Sequence, residues 1–329
     1  MVQDIVQFSN PYIIAEIGVN HNGRLDLAKE LIEAAQSAGA DCVKFQTFRA
    51  ERVVRKETKK ADYQQDNLNN QQSQRKMLKK LELARDEYRL LKEYTEEGGL
   101  DFLSTPYNKE DVEFLYEMDV DAFKLASIHV AEPEIIRFAS EFGKPIFLST
   151  GMASLSEVAR AVEILEESDS PYLLMQCTSD YPADESESNV AVIETYKNSF
   201  GCPVGFSDHT TSEFAACAAV SLGAKVIEKH FTLDKSLEGP DHQASANPTE
   251  FKNYVKALRR TESVLGSGNK KPTISERDNI DEMRRSIVAK TPIQSGETLE
   301  DSHVTFKRPG TGLPAKFYDS VVGREAVKD

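Results

Sequence analysis

Residues 205–245 read GFSDHTTSEFAACAAVSLGAKVIEKHFTLDKSLEGPDHQAS. Short apolar runs flank an alanine-rich stretch here, a pattern that predicts a strand, a helix and a second strand, with a polar segment after each strand. His209 follows Asp208 at the first strand end, and His230 closes the second. Glu228 stands two residues before His230, on the same strand face. Because the ends of consecutive parallel strands lie side by side, the two histidines predict a divalent-metal site in an enzyme.

The same alternation of strand and helix patterns runs back to the start of the chain. Eight short apolar runs are each followed by an amphipathic stretch, as in parallel strands covered by helices. The predicted strands are Tyr12–Ile17, Cys42–Gln46, Phe102–Ser104, Ala122–Ala126, Pro145–Ser149, Tyr172–Cys177, Val204–Phe206 and Val226–His230. This count predicts an α/β fold of the TIM (β/α)8 barrel class. An open doubly wound sheet is disfavoured, because IAEIGVNHNGRLDLAKE lacks the GxGxxG expected after its first strand.

The C-terminal part differs in character and predicts a second domain. The barrel pattern ends near Gly266, and the polar sequence GSGNKK that starts there is typical of a linker. Short β-prone runs at Ser286–Ala289 and Val304–Lys307 then alternate with Gly and Pro. We therefore expect a barrel over residues 1–266, a linker over 267–284 and a small, mostly-β domain over 285–329.

Composition excludes several classes of partner. The 329 residues carry a formal net charge of −14, which argues against nucleic acid and anionic membranes as partners. The sequence lacks an apolar run of membrane-spanning length and a signal-peptide pattern at its start. Its four cysteines are scattered without a CxxC pair, as suits a reducing compartment. These features predict a cytoplasmic protein.

One connection is unusually long. Residues 49–83, after the second predicted strand, include the polar run DNLNNQQSQ. A segment of this length in a compact domain is either functional or a surface excursion, here with a short helix from Gln74. The sequence leaves both interpretations open.

Lysines at two predicted strand ends point to an anion. Lys44 and Lys124 lie in otherwise apolar strands, where a lysine is costly unless it is paired or faces a polar cavity. Pairing with Glu16 or Glu228 is one explanation. A pocket for a dianion such as phosphate is the favoured one, because hydroxyl residues end several of the other strands. His21 and His242 either contact substrate or lie on the surface.

A set of motifs, occurring together and in order, carries a family resemblance. The motifs are IAEIGVNHNG, AGADCVKFQTF, LSTP, LSTGMA, CTSDYP, GFSDHT, IEKHFTLDKSLEGPDHQAS and KRPGTGL. From Ile13 to the last residue the chain resembles the N-acetylneuraminate (sialic acid) synthase family. The resemblance implies a TIM barrel followed by a small antifreeze-like (SAF) domain, and a domain-swapped homodimer. It also implies a divalent metal, with manganese as the expected ion and magnesium or cobalt as alternatives. The implied transferase reaction condenses phosphoenolpyruvate with an N-acylhexosamine such as N-acetylmannosamine, giving a 2-keto sugar acid and phosphate.

The resemblance also implies roles for individual residues. It makes His209 and His230 the metal ligands and Glu16 the acid/base. Phosphoenolpyruvate would be held by Lys44, Thr105, Lys124, Ser127, Ser149 and Ser207. Sugar contacts would come from Gln46, Asn69, Tyr181 and Asp241, and Arg308 would reach into the partner subunit's site.

The sequence departs from the family pattern near the expected sugar. Ile128 and His129 follow Ser127 where Gly-Glu is usual, and Ser179 replaces Asn or Thr. The chain also ends at VGREAVKD, short of the family's usual final strand, which predicts a shortened SAF domain. The acceptor sugar therefore stays open: legionaminic or pseudaminic acid synthases, or another phosphoenolpyruvate-dependent sugar synthase, are alternatives. A non-catalytic sugar-binding dimer is disfavoured, because the costly pocket residues are all present.

Overall fold

The computed structural model describes residues 10–59, 73–168 and 170–329. The chain divides into two compact units, residues 1–266 and 267–329. Among the described residues, no helix is both long and apolar enough to cross a membrane.

The first unit is built on eight parallel strands. They are β1 (Tyr12–Gly18), β2 (Cys42–Thr47), β3 (Asp101–Pro106), β4 (Phe123–Leu125), β5 (Ile146–Ser149), β6 (Tyr172–Cys177), β7 (Val204–Asp208) and β8 (Val226–His230). Their order in the sheet is β3-β2-β1-β8-β7-β6-β5-β4, so the first and last strands of the chain pair with each other. β3 and β4, at the two ends of this order, also lie in contact. The predicted TIM-barrel fold is thereby confirmed.

Helices follow the strands and form the outer layer. They are α1 (Leu25–Ala38), α2 (Ala50–Val53), α3 (Gln74–Leu81), α4 (Arg85–Glu97), α5 (Lys109–Glu117), α6 (Pro133–Ser140), α7 (Leu155–Glu167), α8 (Val192–Phe200), α9 (Phe214–Ser221) and α10 (Pro248–Leu265). The main apolar core lies between these helices and the outward-facing strand residues. The short helix expected from Gln74 is α3.

The interior of the barrel changes from apolar to charged along its axis. Alternate residues of a strand face inward, and towards the strand starts these residues form an apolar plug. Its members include Tyr12, Ile14, Cys42, Leu103, Phe147, Leu173 and Val226. Two residues further along β1, β2 and β8, the same inward face presents Glu16, Lys44 and Glu228. The plug thus forms the floor of a buried polar chamber at the carboxyl ends of the strands.

The second unit contains a three-stranded antiparallel sheet. Its strands β9 (Ser286–Ala289), β10 (Val304–Lys307) and β11 (Leu313–Pro314) have the order β10-β9-β11. Helix α12 (Tyr318–Val321) follows them. The segment predicted as a linker contains a further helix, α11 (Ile274–Met283), which precedes β9.

Candidate active site

Four charged side chains form the centre of the polar chamber. Lys44 Nζ lies 2.7 Å from Glu16 Oε2 and 3.6 Å from Glu228 Oε1. Lys124 Nζ lies 3.7 Å from Glu228 Oε2. All four side chains are buried. Charges alternate in this cluster, which limits the cost of burying them without water. The pairing considered for the two lysines is therefore present, and both lysines face the polar chamber. The phosphate pocket stays a prediction.

The two carboxyl groups of this cluster differ in acidity. Burial raises the pKa of Glu16 to about 7, and the opposing pull of Lys44 is partly offset by the negative charge of Glu228. Burial also disfavours ionisation of Glu228, but Lys124 and Lys44 outweigh it and hold its pKa at about 2. Two carboxyl groups whose pKa values differ in this way supply one group that exchanges a proton near neutral pH and one that stays anionic.

Hydroxyl groups from β3, β5 and β7 complete the cluster. Lys44 Nζ donates to Thr105 Oγ1 at 3.0 Å, and Lys124 Nζ donates to Ser149 Oγ at 2.6 Å. Ser207 Oγ donates to Glu228 Oε1 at 3.1 Å. The structure thus brings both lysines together with three of the four hydroxyl residues that the resemblance assigned to phosphoenolpyruvate.

The fourth hydroxyl, Ser127, lies in a tight arrangement of its own. Its Oγ accepts from the Gly151 N–H at 3.0 Å and is 3.1 Å from Cys177 Sγ. A Cβ atom on Gly151 would come within 2.9 Å of Ser127 Oγ and 2.3 Å of Ser179 Oγ. Glycine is therefore required for the backbone to approach these side chains.

The two histidines lie close together beside the charged cluster. The ring centroids of His209 and His230 are 5.5 Å apart, and the Tyr181 ring lies 4.2 Å from His209 and 5.5 Å from His230. His209 Nδ1 is 2.5 Å from the Thr178 carbonyl oxygen. Since a carbonyl only accepts, that nitrogen carries the proton and Nε2 keeps its lone pair.

The residues present fit a divalent metal held by two imidazoles. Burial lowers the pKa of both His209 and His230, so each ring is neutral and able to ligate. His230 Nδ1 is buried and has no hydrogen-bond partner among the described residues. In that part of the chain, no group of three or more His, Cys, Asp or Glu side chains is arranged to hold a metal. The donor set thus matches a site with two protein ligands and open positions.

A cleft of about 170 Å³ opens next to the histidines. Its lining includes Gln46, Tyr107, Tyr181, His230 and Asp241. Gln46 Nε2 donates to Glu16 Oε1 at 3.0 Å, and Tyr107 OH donates to Gln46 Oε1 at 3.2 Å. The two bonds fix the orientation of the Gln46 amide. Burial raises the pKa of Asp241 to about 6.

Sequence reasoning missed Tyr107. The available signal was its position two residues beyond Thr105, directly after the LSTP motif that ends β3. His129, which departs from the family pattern, is buried behind Tyr107 with the two rings 6.0 Å apart. It therefore contributes to the shape of the cleft through Tyr107.

The NHNG sequence after β1 holds the long segment that follows β8. Asn20 Nδ2 donates to the Phe231 carbonyl at 2.9 Å and to Ser245 Oγ at 2.8 Å, and Ser245 Oγ donates to the Asp241 carbonyl at 2.7 Å. His21 and His242 are both fully buried, so the surface placement considered for them is wrong. These contacts position Asp241 at the cleft.

Two of the predicted site residues stay predictions. Asn69 lies outside the described residues. Arg308 belongs to the second unit, where its side chain is exposed.

Comparison with known proteins adds independent findings. The NeuB family model matches residues 31–270, and the SAF domain model matches residues 284–329. The chain is 42% identical to the N,N'-diacetyllegionaminic acid synthase of Campylobacter jejuni, covering 96% of each chain. It is 37% identical to the pseudaminic acid synthase of the same organism, covering 97% of this chain and 93% of that one. The crystal structure of N-acetylneuraminic acid synthetase from Leptospira borgpetersenii, in complex with citrate, is similar with a TM-score of 0.74 and 33% identity, over 82% of this chain and 90% of that one.

Proposed function

We propose that this chain, which belongs to the NeuB family, is a nonulosonic acid synthase that condenses phosphoenolpyruvate with an N-acylhexosamine and water, releasing phosphate. The observation that carries the proposal is the buried cluster of Glu16, Lys44, Lys124 and Glu228 beside two neutral histidines, at the end of the barrel where this fold holds its active sites. Similarity to legionaminic, pseudaminic and sialic acid synthases supports it.

Phosphoenolpyruvate would bind over the lysine–hydroxyl array. Lys44 and Lys124 supply positive charge, while Thr105, Ser149 and Ser207 supply hydroxyl groups. Because both lysines are buried, their ammonium groups act on an anion more strongly than they would in solvent. They would also balance the charge of the departing phosphate.

The acceptor sugar would lie in the adjacent cleft. Gln46, Tyr181 and Asp241 line it and offer amide, hydroxyl and carboxyl groups to a polyhydroxylated chain. A divalent metal, manganese in this proposal, would be held by His209 and His230 and would polarise the sugar aldehyde towards attack by C3 of phosphoenolpyruvate. The acceptor is N-acetylmannosamine or a related diacetamido hexose, and His129, which packs on Tyr107 of the cleft, is one of the positions where this chain departs from the family pattern.

Glu16 is the group suited to move the proton. Water must add to C2 of the condensed intermediate, and a carboxylate near that carbon takes the proton that the water loses. Burial raises the pKa of Glu16 to about 7, close to the range where a base is most effective. Gln46 holds one of its oxygens in place at 3.0 Å.

We extend the proposal to a homodimer in the cytoplasm. Apolar side chains are exposed on the segments that follow several strands, as at Met152 and Phe214, which are 72% and 69% exposed. Such residues suit cover by a second subunit, and the family resemblance places Arg308 of the partner subunit at the site. The four cysteines are free, as suits a reducing compartment.

Phosphate release from phosphoenolpyruvate tests the reaction. The purified protein is supplied with N-acetylmannosamine, its 6-phosphate, or the diacetamido hexoses that lead to legionaminic and pseudaminic acids, with added manganese. We expect release with one of them, and loss of release after chelation with recovery on adding manganese back. If none of the sugars supports phosphate release, the non-catalytic sugar-binding dimer is left as the explanation. Release that persists after complete metal removal would exclude the metal role.

Mixing two inactive variants tests the shared site. Arg308→Ala and Glu16→Gln should each lose activity, and subunit exchange between them should restore part of it. In a mixed dimer, one site combines an intact Glu16 with an intact partner arginine. No recovery in mixed dimers verified by mass would reject the swapped arrangement.

A further inference from the structure

We infer that the buried ion pair of Asp208 and Lys229, closed by Tyr254, positions the two histidines and thereby sets the affinity of the metal site. The inference rests on the proposed function, since it concerns the same metal. These three residues lie outside the chamber and are positioning residues, not catalytic ones.

The pair is built into the two strands that carry the histidines. Asp208 and Lys229 are register partners on β7 and β8, and each directly precedes a histidine. Because successive side chains of a strand point to opposite faces, the pair faces the helix layer while His209 and His230 face the chamber. A change in the twist or spacing of the pair therefore changes the direction of both imidazoles.

Asp208 is held by four hydrogen bonds although it is fully buried. Its Oδ1 accepts from the Thr210 N–H at 2.9 Å and from Thr210 Oγ1 at 2.8 Å. Its Oδ2 accepts from Lys229 Nζ at 2.9 Å and from Tyr254 OH at 2.8 Å. The two bonds to Thr210 fix the backbone on both sides of His209.

Lys229 is enclosed on its remaining sides. Its Nζ also donates to the Thr210 carbonyl oxygen, and it lies 5.1 Å from the centroid of the Tyr254 ring. Tyr254 comes from α10, the helix that follows β8. One carboxylate and one ammonium thus connect the end of β7, the end of β8 and the outer helix.

Stability alone does not account for this arrangement. Replacing a buried ion pair by well-packed apolar residues is often neutral or stabilising, and the layer around this pair is apolar. What apolar residues would not supply is the directional link between the two strand ends. His230 depends on that link, because its Nδ1 has no hydrogen-bond partner in the described part of the chain.

The inference is tested by titrating the full chain with manganese in a calorimeter, without substrates, and comparing the Kd values of the variants. Asp208→Asn should weaken manganese binding by about 10-fold, at the lower end of the effect of removing support from a metal ligand. Tyr254→Phe, which removes one of the four bonds to Asp208, should weaken it by less. Arg259→Met is the matched control. Arg259 lies on the same helix, and its Nη2 contacts Asp41 at 2.6 and 2.8 Å, beside the first residue of β2 at the opposite end of the barrel. This variant should lose stability but keep the wild-type Kd.

A double variant separates positioning from stability. Asp208→Leu with Lys229→Met removes both charges, and we expect it to unfold at a temperature near that of the wild type while its manganese Kd stays at least about 10-fold weaker. A wild-type Kd in Asp208→Asn or in the folded double variant would overturn this inference but not the proposed metal site. Absence of manganese binding by the wild type would overturn the proposed metal site, and the inference with it.

Discussion

Replacing Glu16 by Gln should change how stability depends on pH. The pKa of Glu16 is raised from 4.5 to about 7 in the folded chain. A raised carboxyl pKa means that the folded state keeps its proton at pH values where the unfolded chain has lost it. The stabilisation is therefore complete below about pH 4.5 and is lost as the pH rises through about 7. Glutamine has no proton to lose, so the variant lacks this part of the slope.

The size of the effect follows from the shift. A difference of one pKa unit corresponds to about 1.4 kcal/mol, so the raised pKa of Glu16 gives a loss of roughly 2 to 3 kcal/mol between pH 5 and pH 8. Lys44 loses its contact at 2.7 Å in the variant and keeps the one to Glu228 at 3.6 Å. Because that change affects the stability at both pH values, the pH dependence of stability and not its absolute value is the quantity to compare.

The change of the free energy of unfolding with pH is measured by urea unfolding at pH 5 and pH 8, monitored by circular dichroism without metal or substrate. Wild type should lose roughly 2 to 3 kcal/mol more than Glu16→Gln over this interval. Asp241, whose pKa is also raised, titrates in both proteins and cancels in the comparison. Glu134→Gln, at the exposed pair with Lys109, should keep the wild-type slope. Equal slopes in wild type and Glu16→Gln would refute the raised pKa of the buried Glu16.

Three further substitutions test the chamber and the cleft. Tyr107→Phe releases the Gln46 amide and should raise KM for the sugar about 10-fold with a smaller change in kcat, measured by phosphate release. A sugar KM equal to that of the wild type would count against this role. Gly151→Ala displaces Ser127 together with Ser179 and should raise KM for phosphoenolpyruvate, measured by phosphate release. Lys124→Met removes an ammonium group and should raise KM for phosphoenolpyruvate about 10- to 100-fold. An unchanged KM would exclude Lys124 from the anion site.

Much of the fold could be predicted from the sequence because its periodicity is strong. The predicted strands at Tyr172–Cys177 and Val226–His230 have the observed bounds. At β7 the strand continues to Asp208, two residues beyond the prediction, because Asp208 pairs with Lys229 in the ladder. A polar residue at the end of an apolar run looks like the start of a loop when its partner strand is unknown.

The site was less accessible to sequence reasoning, because its properties depend on distances between separate strands. The sequence shows that burying the two lysines costs free energy. Which carboxyl group keeps its proton depends on the distances from each lysine to Glu16 and Glu228, and these are known only from the structure. Tyr107 acts through a side-chain bond to Gln46, 61 positions earlier in the chain. No local pattern encodes such a pair.

The contact between Lys44 and Glu16 has a consequence for ligand binding. The ammonium group of Lys44 lowers the pKa of Glu16, so any anion that draws this ammonium group away makes the carboxyl group more basic. Binding of the anion is then accompanied by proton uptake from solvent. By linkage, the affinity for the anion falls as the pH rises above about 7. The chamber in this way couples the binding of an anion to the protonation state of Glu16, the group proposed to take a proton from water.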